Sequence, residues 1–154
     1  MNSKTRCWDL YKACLTRGFH MKFAVSPVAD RLLKHHRGFG GVSYVYLNRP
    51  EDIRKAKAVI GSLEGVESVL SRDEAAQRFR LMAERIGDLV VIPDKETVFG
   101  DLESEIEELD PTRYRSHGSL YERNVPLIAY NADGIIPDRS AIEYNLDLTS
   151  RLYR

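Results

Sequence analysis

The sequence predicts an α/β fold, and three observations carry that expectation. Between residues 42 and 92, apolar runs rich in β-branched and aromatic residues alternate with stretches of helical spacing. A further apolar run, Val125-Pro126-Leu127-Ile128-Ala129, has the character of a buried core strand. Turn residues and capping signatures fall between these segments, where one element must stop and the next begin.

In chain order, residues 6 to 18 predict a helix: Cys7, Leu10, Cys14 and Leu15 give a partial apolar stripe, and Gly18 can end it. Lys22-Phe23-Ala24-Val25 predicts a strand. Pro27 and Asp30 mark a turn, and Arg37-Gly38-Phe39-Gly40-Gly41 a glycine-rich loop. Val42 to Leu47 alternates as a strand does. Asn48 is placed to cap the next helix, with Pro50 near its first turn. Ile53, Ala56, Ile60 and Leu63 then line one helical face, ending near Gly61 or Gly65. Val66 to Leu70 predicts a second strand. Ser71 with Glu74 is a capping-box pair for a helix carrying Ala75, Ala76 and Phe79. Asp88 to Ile92 is a continuous apolar strand halted by Pro93. The acidic stretch 101 to 112 predicts a solvated helix or loop, and Asn145-Leu146-Asp147-Leu148 starts a last helix.

Composition narrows the function classes. The chain has 154 residues, 43% hydrophobic and 30% charged, enough for one domain with a core. Lys plus Arg equals Asp plus Glu at 23 each, so no net charge draws it to nucleic acid or anionic lipid. There is no apolar run of membrane-spanning length, and the first residues lack a signal peptide's apolar centre. Cys7 and Cys14, placed on one helix, would lie roughly 10 Å apart, too far for a disulfide. Free thiols agree with a cytoplasmic protein.

The chemistry-bearing motif is Arg115-Ser116-His117-Gly118, just before the Val125 run. Gly118 permits a sharp turn, so His117 can project from a sheet edge as a metal ligand. One imidazole is not a zinc site, which takes three or four ligands. The neighbouring His35-His36 points to opposite sides if extended and favours a structural or surface role. His20 has no partner nearby in sequence. Gly38-Phe39-Gly40-Gly41 lacks the Lys-Ser/Thr ending of a phosphate-binding loop.

Arg85-Ile86-Gly87-Asp88-Leu89-Val90-Val91-Ile92, Arg115-Ser116-His117-Gly118-Ser119 and Val125-Pro126-Leu127-Ile128 together resemble the C-terminal part of phosphonoacetate hydrolases, zinc enzymes of the alkaline phosphatase superfamily. Met1-Asn2-Ser3-Lys4-Thr5 resembles the segment that follows the Asp-His-Gly metal motif in that family. The resemblance implies an alkaline phosphatase-like fold with residues 1–26 a remnant of the catalytic core, 27–110 a small inserted α/β cap, and 111–154 the return to the core. It implies His117 as a zinc ligand, in an enzyme that holds two zinc ions and cleaves phosphonoacetate to acetate and phosphate. Asn2 and Lys4 would lie near the substrate's anionic group. The threonine nucleophile and the other metal ligands have no counterpart in these residues. The expectation is therefore a fragment without catalytic residues of its own, inactive alone, or one complemented by a separately encoded N-terminal half. The alternatives are a nucleotide pyrophosphatase/phosphodiesterase-type relative and a non-catalytic α/β binding module.

Overall fold

The computed structural model describes residues 2–26, 37–132, 134 and 142–152, in two units, Met1–Asn124 and Val125–Arg154. Strands β1 (Asn2–Ser3) and β2 (Arg6–Trp8) open the first unit, followed by helix α1 (Leu10–Thr16) and strands β3 (Phe23–Val25) and β4 (Ser43–Tyr46). Then come α2 (Ile53–Gly61), β5 (Val66–Ser71), α3 (Arg72–Phe79), β6 (Leu89–Pro93), β7 (Thr97–Phe99), β8 (Ile106–Glu108) and β9 (Arg115–Ser116). The mixed α/β class is as expected.

The β-α-β-α-β order over residues 42–92 is present, and its sheet is antiparallel throughout. Its order is β3-β4-β6-β5, so α2 carries the chain from β4 to β5 past the position that β6 later fills. On one face Ala56 and Ile60 from α2, with Leu63 just after it, pack with Val45, Leu89 and Val91 and with Leu10, Ala13 and Cys14 of α1. On the other, Ala75 packs with Ile86, Val90 and Ile92. Fully burying a side chain such as Ile60 or Leu89 stabilises by about 1.5–3 kcal/mol. Gly87 is dictated by close approach, because a Cβ there would stand 2.5 Å from the Val45 carbonyl oxygen. The Ser71/Glu74 capping box forms in full at the start of α3.

Four local expectations are corrected. Residues 6–18 are not one helix: Arg6–Trp8 is a strand between β7 and β8, and the helix starts only after Asp9, whose carboxylate caps it by accepting from Lys12 N. Cys7 thus faces a small core of Phe39, Val98, Leu102 and Leu109, apart from the α1 face that holds Cys14. Asn48 does not cap α2; its amide donates to the His20 carbonyl, and a 3₁₀ turn, Pro50–Asp52, leads into the helix. The acidic stretch contains β8, antiparallel to β2, with Ile106 turned toward the core and Glu105 and Glu107 paired to Arg17 and Arg37.

The fourth correction is in the second unit. Val125–Ala129 forms no strand, and Val125, Ile128 and Tyr130 are 71%, 89% and 94% exposed. A strand exists only through ladder partners, and this run has none among the described residues. The expected last helix is present as α4 (Asn145–Leu152), with Asp147 accepting from the Glu143 and Tyr144 amides. Pro27, Asp30, His35 and His36 lie outside the described residues.

Candidate functional site

Sequence neighbours of His117 are fixed by the residues that begin the chain. β1 and β9 run antiparallel with Asn2 opposite Ser116 and Ser3 opposite Arg115, so the chain enters the fold beside His117. Two segments singled out separately in the sequence, Asn2 to Lys4 and Arg115 to Gly118, are therefore brought together.

The loop itself has buried anchors and an exposed tip. Ser116 is buried and its Oγ donates to the Phe39 carbonyl at 2.7 Å. The His117 carbonyl accepts from Gly41 N at 2.9 Å. Gly41 must be glycine because a Cβ would stand 2.7 Å from Ser119 N and 3.0 Å from His117 O. Gly118 makes the turn with φ at 99°, a region glycine enters without strain. Ser119 is buried and opens a 3₁₀ turn, Leu120–Glu122, as a second capping box: Glu122 Oε2 accepts from Ser119 N at 3.0 Å and from its Oγ at 2.5 Å. The imidazole of His117 is exposed and makes no hydrogen bond among the described residues.

Lys4 lies fully buried, 0% exposed. Its Nζ donates to the Lys95 carbonyl at 2.8 Å and faces Glu122 Oε1 at 3.6 Å. Burial pushes its pKa below the ordinary lysine value, while Glu122 and Asp94 hold it up. The ammonium is thus committed to internal partners. Sequence reasoning missed Glu122 and Ser119. The signal was there: Ser119-Leu120-Tyr121-Glu122 repeats the spacing that identified Ser71 and Glu74.

The donor set does not amount to a zinc site. Among the described residues no three His, Cys, Asp or Glu side chains gather closely enough to hold a metal ion. The thiols are no help: burial raises Cys7 to about 12 and Cys14 to about 11, which disfavours the thiolate that binds metal.

No protein-family profile matches the sequence. Solved structures that resemble it include two of phosphonoacetate hydrolase from Sinorhizobium meliloti 1021. The one in complex with phosphonoacetate superposes with a TM-score of 0.62 at 29% identity, over 75% of this chain and 28% of that one. The complex with phosphonoformate gives 0.53 at 33% identity, over 63% of this chain and 24% of that one. The likeness to phosphonoacetate hydrolase read from the sequence is therefore present in sequence and fold alike. The chain spans about a quarter of the length of the structures it matches. No helix among the described residues is long and apolar enough to cross a membrane.

Proposed function

We propose that this chain corresponds to the C-terminal part of a phosphonoacetate hydrolase-like enzyme, with an alkaline phosphatase-like core and an inserted cap, and that His117 is its contribution to a zinc centre. The observation that carries this reading is the β1–β9 pairing, in which Asn2 stands opposite Ser116, the residue before His117. In the proposed whole, cores 1–26 and 111–154 flank a cap of 27–110, and the remaining metal ligands come from polypeptide outside this sequence. The reaction would be hydrolysis of a small phosphonate, phosphonoacetate giving acetate and phosphate. The chain alone would not catalyse it, since one imidazole cannot supply the coordination that zinc requires.

Within this reading Lys4 acts from inside the fold, its ammonium tied to the Lys95 carbonyl and to Glu122. The phosphodiesterase-type and non-catalytic alternatives have no observation of their own in their favour.

A chimera tests the proposal. The matching quarter of the Sinorhizobium enzyme is replaced by this chain, and phosphate release from phosphonoacetate and zinc content are measured with and without His117→Ala. The expected result is activity and zinc loading in the His117 form and loss of both in H117A. Equal zinc content and equal phosphate release in the two forms would overturn it.

A further inference from the structure

We propose that Glu122 is the positioning residue for His117, fixing the backbone of the Ser116–Ser119 loop so that an exposed imidazole is held in one place. The proposal rests on the ligand reading of His117 given above. The imidazole provides no hold of its own, being exposed and without a hydrogen bond among the described residues.

The loop is instead fastened from both sides. Upstream, β9 is paired to β1, and Ser116 Oγ is bound to the Phe39 carbonyl. Downstream, Glu122 divides its two oxygens: Oε2 takes both donors of Ser119, and Oε1 faces the Lys4 ammonium. Lys4 also donates its backbone N–H to the Tyr114 carbonyl at 3.0 Å. One carboxylate thus links the turn after His117 to the strand entering from residue 2 and, through Lys4, to the loop at Lys95. Gly118 lies between His117 and this fastening and is the joint about which the loop would swing if it were released. A ligand side chain needs its backbone set to a fraction of an ångström, and buried second contacts supply that.

The test is amide hydrogen exchange by NMR on the whole chain, comparing wild type with Glu122→Ala and Glu122→Gln. In E122A, exchange at Gly41 N–H, which binds the His117 carbonyl, and at Ser119 N–H should quicken by at least about tenfold, while the amides of β6 stay within about twofold. E122Q should restore most of the protection, because a glutamine oxygen can still serve Ser119. Unchanged exchange at Gly41 and Ser119, or an equal change across β6, would overturn the proposal. Should E122A not fold, the E122Q spectrum against Lys4→Met decides: K4M must quicken the same two amides ahead of β6. None of these readouts involves metal or turnover. A chimera in which H117A is harmless would remove the ligand reading while leaving the exchange result to stand by itself.

Discussion

Replacing Lys4 by Met separates a structural ammonium from one reserved for a ligand. Methionine keeps most of the apolar stem, so packing around the fully buried side chain changes little. What is lost is the charge-assisted hydrogen bond to the Lys95 carbonyl at 2.8 Å and the attraction to Glu122 at 3.6 Å. Hydrogen bonds from charged groups contribute about 1.5–3 kcal/mol net. Glu122 loses its buried cation and holds Ser119 less firmly, while its side chain is 11% exposed, so water can answer part of the loss. The expected cost is roughly 2 kcal/mol, which for a chain of this size lowers Tm by about 4–8 °C. Urea denaturation followed by circular dichroism measures it. Pairing the change with Glu122→Gln should show non-additivity of about 0.5 kcal/mol or more, as contacting residues do. A loss below about 0.5 kcal/mol with additive double-mutant behaviour would refute the anchoring argument. It would return Lys4 to the role of an anion-binding group.

Two further outcomes follow from the electrostatics. Lys57 and the Ser71 amide and hydroxyl hold the Glu74 carboxyl down to about 2, below the value of about 4.3 in an unfolded chain. Its stabilising effect is thus complete above the unfolded value and is lost as pH falls through the folded one. Glu74→Gln should flatten the stability profile between about pH 4.5 and 2 relative to wild type, and parallel profiles would contradict the cap. Cys7 and Cys14, both buried with raised pKa values of about 12 and about 11, should resist iodoacetamide at pH 8 in the folded chain and react once it is unfolded in urea. Labelling of either thiol under native conditions would show that its core opens readily.

Most of the central sheet was legible because its signals were local and agreed with one another. The alternation at Ser43–Tyr46, the face of Ala56 and Ile60, and the Ser71/Glu74 box each specify the element that forms. Cys7 misled because its spacing from Leu10 and Cys14 imitates a helical stripe, while the partners that make Arg6–Trp8 a strand are about ninety positions or more away. β8 was hidden by composition: Glu105 just before it and Glu107 within it pair with Arg17 and Arg37, and only Ile106 reports the core. Val125–Ala129 had the residues of a strand without, among the described residues, the neighbour that a strand requires. At the site, His117 was visible from its motif. Its frame was not, because Gly41, Phe39, Lys4 and Glu122 meet there only after the chain has folded back over most of its length.

The pairing of Asn2–Ser3 with Arg115–Ser116 also says when the site can come into being. Two residue pairs joining positions more than a hundred apart gain too little to repay the closure of so large a loop by themselves. Contacts of that separation form after the more local ones, so the β3-β4-β6-β5 sheet and its helices should condense first and offer Phe39 and Gly41 as a template. A mutation confined to β1 or β9 should then leave the folding rate of the sheet almost unaltered and speed unfolding instead. The segment nearest the proposed chemistry would be the last part of this unit to assemble and the first to let go.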